Sequence, residues 1–280
     1  MNHISMSHSE ERPIPDTSSM TEVTQLQPSV ELRKWHEQGI KGTGVKIAVL
    51  DTGIDTDNRD ITYVRGINFS DEDPNNFEDL NGHGTKISGI ICARENGYNL
   101  LGIAPDCQLY IAKVANDHGN VMYEDLIQGI EWAIEQEVDI INISLEFPQG
   151  NPKLHQAIKA AAKNNITVLS SSGNISKLGD TSLAYPGAYP EVINVGMLNV
   201  EGEIFSEEFV HKKVDVFAPG EDIFSLYLED TMTLDTGVSF ATAFATGYTA
   251  LAIQDNREQN KVYDRMTLVK ELNQYLKAIN

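Results

Sequence analysis

Short, continuously apolar segments alternate with helical segments along this 280-residue chain. A strand that is buried on both faces is apolar throughout, whereas a strand with one wet face alternates between apolar and polar residues. Strands of the first kind that alternate with helices pack as a parallel sheet. We therefore predict an α/β protein with three layers, a mostly parallel twisted sheet with helices on both faces. The predicted strands are 46–50, 64–69, 109–114, 139–145, 167–171, 192–195 and 214–217, and the predicted helices are 30–39, 82–94, 123–136, 152–164, 239–252 and 267–279.

The first 27 residues differ in composition from the rest of the chain. They are polar, rich in Ser and Thr, and contain Pro13 and Pro15. A segment of this kind has too little apolar surface to bury in a core of its own. We therefore predict a flexible N-terminal arm or short pro-segment over residues 1–27 and one folded domain over residues 28–280.

The charge and hydropathy of the chain exclude several classes of partner. A net charge of −20 is unsuited to nucleic acid, whose phosphates attract Lys and Arg. No apolar run approaches the roughly 20 residues needed to span a bilayer, and the N-terminus has no apolar core of a secretory signal. Cys92 and Cys107 are predicted to be free thiols in a reducing compartment, so we expect a cytoplasmic protein. The sequence specifies no oligomeric state.

A serine follows a glycine at the start of the longest small and apolar segment of the chain. Gly237 precedes Val238 and Ser239, and the segment continues to Ala252. This pattern predicts a serine hydroxyl in the first turn of a buried helix, where unpaired backbone N–H groups favour negative charge. Ser239 is therefore a candidate nucleophile, although a serine at this position can also be a simple helix cap.

Other polar residues follow predicted strands or open predicted helices. Asp51 ends the first strand, Asn174 lies in a loop after a later strand, and His83 stands between two glycines at a helix start. Ligands of parallel sheets bind outside the carboxyl ends of the strands, so these side chains are expected on one rim. Each residue taken alone is equally compatible with a turn or a structural role.

Four motifs occur in a fixed order along the chain: Asp-Thr-Gly-Ile-Asp at 51–55, Gly-His-Gly-Thr at 82–85, Ser-Gly-Asn at 172–174 and Gly-Val-Ser-Phe-Ala at 237–241. Together they resemble the motifs of the subtilisin-like serine proteases, and the resemblance covers about Val30 to Gln254. It implies a subtilisin-like fold for residues 28–280 and a serine endopeptidase activity.

The resemblance implies a role for each motif. Ser239 would attack the scissile carbonyl, His83 would accept the serine proton, and Asp51 would orient the imidazole. The side-chain amide of Asn174 and the backbone N–H of Ser239 would form the oxyanion hole.

The resemblance also implies where an extended peptide or protein substrate binds. Ser144, Leu145 and Glu146 match one edge of the substrate groove, and the segment 113–121 matches the other edge through Gly119. Gly173 lies beside Asn174 and belongs to the same implied site. Backbone pairing of this kind accepts many sequences, and side-chain pockets select among them.

A structural calcium ion is a further implication of the resemblance. The loop 94–100 has the length of the calcium loop of the family, and Asn96 and Asp60 would supply side-chain oxygens. Hard oxygen ligands suit Ca²⁺. The alternative is a surface loop whose charges are only solvated.

The chain departs from the family pattern at three places. Lys86 replaces a second histidine after Gly-His-Gly-Thr, and Ala243-Phe244 replaces a Pro-His pair after the nucleophile. Glu146 replaces a glycine at the mouth of the main specificity pocket, where it could narrow the pocket or add a carboxylate to its rim. This last change predicts selective processing more than bulk digestion, although Glu146 can also be an ordinary surface residue.

The expected arm and compartment match the cytoplasmic members of the family. These are general intracellular subtilisins and the leader peptidases that trim modified peptides such as lantibiotics, and we expect the arm to approach the active site and to be removed. Two other functions remain open from the sequence. A non-catalytic peptide-binding scaffold could share the fold. A second Asp-Thr-Gly at 235–237 is also the motif of aspartic proteases, but these need a mostly β chain.

Overall fold

A parallel sheet of seven strands forms the centre of the molecule. The computed structural model describes residues 4–5, 30–96, 100–173, 184–205 and 214–277. Along the sheet the strands are ordered β3 (Tyr63–Asn68), β4 (Gln108–Lys113), β2 (Lys46–Asp51), β6 (Ile140–Ile143), β7 (Thr167–Ser171), β8 (Ile193–Leu198) and β9 (Val216–Pro219). Every neighbouring pair in this sheet is parallel.

Helices cover both faces of this sheet. One face packs against α1 (Val30–Glu37), α2 (His83–Cys92), α5 (Val238–Glu258) and α6 (Arg265–Lys277), and the other against α3 (Tyr123–Glu135) and α4 (Pro152–Lys163). Strand β2 shows why, because Ile47 and Val49 enter the first core while Ala48 and Leu50 enter the second. The predicted α/β architecture is therefore confirmed.

Two strand pairs lie outside the main sheet. Strands β10 (Ile223–Leu226) and β11 (Met232–Asp235) form an antiparallel hairpin immediately before α5. The sequence patterns did not predict this hairpin. It leads the chain directly to Ser239 and contacts α2 on the same face of the sheet.

The other pair joins the N-terminal arm to the folded body. Strand β1 (Ile4–Ser5) runs antiparallel to β5 (Asn120–Val121), with Ile4 opposite Val121 and Ser5 opposite Asn120. The remaining residues of the predicted arm lie outside the described ranges.

Three further sequence expectations can be compared with the structure. Cys92 and Cys107 are both free thiols, as predicted. The C-terminal helix begins at Arg265 rather than at residue 267, and its last predicted residues, 278 and 279, are not among those described. In the part of the chain that the structure describes, each helix is too short or too polar to cross a bilayer.

Candidate active site

Asp51 and His83 are in direct contact at the carboxyl end of the sheet. Asp51 is the last residue of β2, which lies between β4 and β6, and its side chain is buried. Its Oδ1 accepts the backbone N–H of Thr52 at 2.8 Å and lies 2.7 Å from Nδ1 of His83. Oδ2 of Asp51 has no hydrogen-bond partner among the described residues. The carboxylate is therefore directed at one imidazole nitrogen.

The first turn of α2 holds His83 tightly against the loop that follows β2. The backbone N–H of Gly84 donates to Oγ1 of Thr52 at 2.9 Å. A Cβ on Gly84 would overlap the carbonyl oxygen of Gly53, so only glycine allows this approach. Gly84 thus lets the helix start lie directly on the loop after Asp51, whereas Gly82, with φ +94°, lies against the ring of Tyr227.

Asp79 fixes the same helix start and was missed by the sequence analysis. Its buried carboxylate accepts four hydrogen bonds. Oδ1 accepts the N–H groups of Asn81 and Gly82, at 3.0 and 2.8 Å, and Oδ2 accepts the N–H and hydroxyl of Thr85, at 2.9 and 2.7 Å. An aspartate shortly before Asn-Gly at a helix start is a turn and capping signal that could have revealed it.

The electrostatic surroundings of His83 favour its protonated form. Burial of the imidazole acts to lower its pKa, but the charge of Asp51 and its hydrogen bond outweigh this effect. Lys86 lowers the pKa and Asp79 raises it, and the net result is a pKa above the ordinary value of about 6.5. A partly buried histidine with a raised pKa beside a carboxylate is suited to proton transfer.

Ser239 lies in the first turn of α5, beside the end of β6. It is half-buried, and its hydroxyl donates to the carbonyl oxygen of Ser144 at 3.3 Å. The Ser144 hydroxyl donates in return to the carbonyl oxygen of Ser239 at 3.2 Å. The ring of Phe240, the next residue, lies 6.2 Å from that of His83, so the first turns of α2 and α5 are neighbours.

One predicted substrate edge lies beside Ser239, because the carbonyl oxygen of Ser144 accepts the Ser239 hydroxyl at 3.3 Å. Leu145 is buried in the second hydrophobic core, so only its backbone is available to a substrate. Gly119 closes a turn by donating to the carbonyl oxygen of Asn116 at 2.8 Å, and the strand that follows, Asn120–Val121, is the one that pairs with β1. The structure thus places Gly119 immediately before the strand that the arm contacts.

Glu146 and Gly173 lie next to each other on the opposite edge. Gly173 has a left-handed backbone, φ +92°, and a Cβ there would lie 3.0 Å from Oε2 of Glu146 and 2.5 Å from Cβ of Ala184. The Glu146 carboxylate therefore occupies the space above Gly173. Asn174, the predicted oxyanion donor, lies outside the described residues.

The two predicted calcium ligands are in contact with each other. The side-chain amide of Asn96 donates to Oδ1 of Asp60, and Asp60 is buried. The backbone carbonyl oxygen of Asp60 accepts the N–H of Arg94 at 2.8 Å. The oxygen and nitrogen atoms of a side-chain amide are assigned from the hydrogen bonds around them, so the amide oxygen of Asn96, in place of its nitrogen, can face the Asp60 carboxylate. One carboxylate and one amide suit Ca²⁺, and residues 97–99 of this loop are not described. Among all the described residues, those around Asp60 included, His, Cys, Asp and Glu form no cluster of three that could hold a metal.

The second Asp-Thr-Gly does not form a carboxylate pair with the first. Asp235 is bonded to Lys86, with 2.8 Å between Oδ2 and Nζ, whereas Asp51 is bonded to His83. Two carboxylates that share a proton face each other, as in aspartic proteases. The different partners of Asp51 and Asp235 argue against that mechanism.

Comparison with known proteins gives consistent similarities over most of the chain. Residues 42–277 match the Subtilase family, Peptidase_S8. An intracellular serine protease of Paenibacillus polymyxa is 43% identical over 221 residues, which are 76% of this chain and 68% of the relative. The major intracellular serine protease of Bacillus subtilis strain 168 is 38% identical over 251 residues, 85% of this chain and 78% of the relative. Subtilisin DY of Bacillus licheniformis is 36% identical over 227 residues, 81% of this chain and 82% of the relative.

Proposed function

This chain belongs to the subtilase family and is a serine endopeptidase, and we propose that Asp51, His83 and Ser239 form the catalytic triad with which it cleaves peptide bonds. The observation that carries the proposal is the 2.7 Å contact between Asp51 and His83 beside the helix start that bears Ser239. A triad is recognised by this arrangement of acid, base and nucleophile. The contact of the Ser239 hydroxyl with Ser144 is compatible with it, because catalytic hydrogen bonds often form only with substrate bound.

The proposed reaction proceeds through an acyl-enzyme. Oγ of Ser239 attacks the scissile carbonyl carbon while Nε2 of His83 takes the hydroxyl proton, and Asp51 stabilises the resulting imidazolium. The C–N bond then breaks, and His83 gives the proton to the leaving amine. In the second half a water molecule attacks the ester, His83 takes its proton, and the Ser239–carbonyl bond breaks with return of the proton to Ser239.

The negative charge on the carbonyl oxygen requires donors in each half-reaction. The backbone N–H of Ser239, in the first turn of α5, is one proposed donor, because the first N–H groups of a helix have no partner within it. The side-chain amide of Asn174 is the other. Loss of the equivalent side-chain donor costs subtilisins about 10²- to 10³-fold in kcat.

Covalent labelling with a fluorophosphonate probe tests the triad. We expect the wild-type protein to be labelled at Ser239, and both Ser239→Ala and His83→Ala to lose labelling and peptide hydrolysis. Ser70→Ala, in a partly exposed loop, is the matched control and should be labelled like the wild type. A folded wild-type protein that is never labelled would contradict the proposed triad.

We further propose that the enzyme is selective at the residue before the scissile bond. The support is the Glu146 carboxylate, which occupies the space above Gly173, the residue that precedes Asn174 in the sequence. A carboxylate at the rim of a pocket repels an acidic side chain entering it. In a peptide library we expect acidic residues to be disfavoured before the cut, and Glu146→Gln to weaken this discrimination. Equal cleavage after every residue type would refute the selectivity.

The N-terminal arm is proposed to restrict access to the substrate groove. Its support is the antiparallel pairing of Ile4–Ser5 with Asn120–Val121, the strand that a substrate would use for backbone pairing. Deletion of residues 1–27 should therefore raise the initial rate of peptide cleavage. Equal rates for the full chain and the deleted form, at equal labelling of Ser239, would eliminate regulation by the arm.

A calcium ion is proposed beside Asp60 and Asn96. Bound there, it would supply positive charge that joins the loop at 94–100 to the loop that contains Asp60, and so stabilise the folded state. We expect a chelator to lower the melting temperature and added Ca²⁺ to restore it. Asp60→Asn should abolish the response, whereas Asp57→Asn, in the same loop but exposed, should retain it. An unchanged melting temperature would oppose the site.

For the biological role we propose intracellular processing of proteins or peptides, with removal of leader peptides as one form. The support is the names of the two relatives described as intracellular proteases, together with the proposed selectivity. Mass spectrometry of the purified protein, and of lysate peptides incubated with it, would identify each cut and show whether the arm itself is removed. Unselective degradation to small fragments would favour bulk turnover instead.

A further inference from the structure

A buried ion pair connects the histidine helix to the segment that leads to Ser239. Lys86 lies one helical turn after His83 in α2, and both Lys86 and Asp235 are buried. Nζ of Lys86 is 2.8 Å from Oδ2 of Asp235, the last residue of β11 and four residues before Ser239. The pair thus joins two segments that are 149 residues apart in sequence.

Further contacts fix the orientation of both partners. Oδ1 of Asp235 accepts the backbone N–H of Thr236 at 2.9 Å, and Nζ of Lys86 lies 4.9 Å from the ring centroid of Tyr227. The carbonyl oxygen of Lys86 accepts the Ser225 hydroxyl at 2.6 Å, from the neighbouring strand β10. Helix α2 is therefore attached to both strands of the hairpin, once through its side chain and once through its backbone.

Stability alone does not account for this pair. Burial of two charges costs a large desolvation free energy, and replacement of a buried pair by apolar side chains is often neutral or stabilising. What the pair provides is a specific contact between two elements, because a placement of α2 relative to β11 that separates Nζ of Lys86 from Oδ2 of Asp235 leaves two buried charges unpaired. The elements that it joins carry His83 and lead to Ser239.

We propose that Lys86 and Asp235 are positioning residues, which hold the His83 helix and the Ser239 segment in the relative placement that proton transfer between them requires. The inference rests on the proposed triad and adds to it two residues that do not touch the substrate. Misplacement of a catalytic group by about 1 Å can cost about 100-fold in rate, so a contact of this kind has a measurable effect on catalysis.

The charges that face His83 provide a second readout. They are Asp51 from β2, Asp79 from the loop before α2, and Lys86 from α2 itself. The two carboxylates raise the pKa of His83, and the Lys86 cation lowers it. Because His83 must be neutral to accept a proton, removal of that cation should move the acidic limb of kcat/KM to higher pH.

The main test is the double variant Lys86→Met/Asp235→Leu, compared with a matched ion pair away from the site. The double variant leaves no charge unpaired, so we expect a melting temperature close to that of the wild type. Its kcat should fall at least tenfold with KM changed less than twofold, and its acidic limb should move to higher pH. The control is Arg265→Met/Asp215→Leu, which removes a 2.6 Å ion pair between the first residue of α6 and a residue that also accepts a backbone N–H from β8. It should leave kcat and the acidic limb unchanged.

Single variants separate the charge from the geometry. Asp235→Asn keeps the cation, so the acidic limb should not move to higher pH, whereas Lys86→Met should move it in that direction. A double variant that folds with wild-type kcat, or that loses activity with an unmoved limb, overturns the proposal. Fluorophosphonate labelling of the wild type separates failure of the proposed triad from failure of the positioning role. An unlabelled wild type refutes the triad itself, whereas a labelled wild type confines the failure to Lys86 and Asp235.

Discussion

Replacement of Asp79 by asparagine tests whether one buried carboxylate holds the start of α2, the helix that begins at His83. Asp79 accepts four hydrogen bonds through two oxygens, two bonds on each. An asparagine side chain has only one oxygen, which can accept the two hydrogen bonds made to one oxygen of Asp79. Its NH₂ group would face the two donors that the other oxygen of Asp79 accepts. Two hydrogen bonds to a charged acceptor are therefore lost, at about 1.5 kcal/mol each or more, so we expect a loss of about 3 kcal/mol in the free energy of unfolding.

Urea denaturation in a Ser239→Ala background measures this loss without self-cleavage. The same change should lower the melting temperature by roughly 6–12 °C for a domain of this size. Asp73→Asn is the matched control, because Asp73 lies in an exposed turn and its side chain accepts a backbone N–H from Asn75. Its effect should remain within about 0.5 kcal/mol.

The pH dependence of kcat/KM provides a second, independent test of Asp79→Asn. The Asp79 carboxylate raises the pKa of His83, so Asp79→Asn should move the acidic limb of kcat/KM to lower pH in the otherwise wild-type enzyme. This shift is opposite to the one expected for Lys86→Met. An Asp79→Asn protein as stable as its parent, or with an unmoved limb, would refute the reasoning about the helix start.

Three further predictions concern the same framework. In the wild type the acidic limb of kcat/KM should lie above pH 6.5, because the pKa of His83 is raised. The contact of His83 with Asp51 should stabilise the folded state fully below about pH 6.5, and this stabilisation should be lost as the pH rises through the raised pKa. Urea titrations at several pH values would measure this loss. Gly84→Ala should reduce kcat at least tenfold, since its Cβ would displace the loop at Gly53, and near-normal steady-state kinetics would contradict this. Gln254→Leu should lower the free energy of unfolding, measured by calorimetry, by about 3 kcal/mol, because Oε1 of Gln254 accepts the backbone N–H groups of residues 41–43. Its kcat should not change, because Gln254 lies far from Ser239 along α5.

The main sheet could be predicted closely because its strands are continuous apolar runs. The predicted strand at 46–50 differs by one residue from β2, and 167–171 coincides with β7. The hairpin before α5 was missed for a physical reason. Its strands have four residues each and mix buried with partly exposed positions, so neither gives a long apolar run.

The candidate site was predictable where its residues share local motifs. Asp51 ends an apolar run and His83 stands between glycines, so both positions carry a signal in their own sequence neighbourhood. Partners of buried charges carry no such signal. The aspartate that neutralises Lys86 is separated from it by about half of the chain, and only the packing of α2 against the hairpin brings the two together.

The pairing of β1 with β5 has a consequence for how firmly the arm stays in place. Ile4 and Ser5 belong to the same polypeptide as the strand that they contact. A tethered segment meets its own binding site at an effective concentration of about millimolar, however dilute the protein is. Dilution therefore cannot release it. If the arm restricts the substrate groove as proposed, an external peptide has to outcompete that local concentration. A single cut in the tether would let the segment diffuse away into bulk solution.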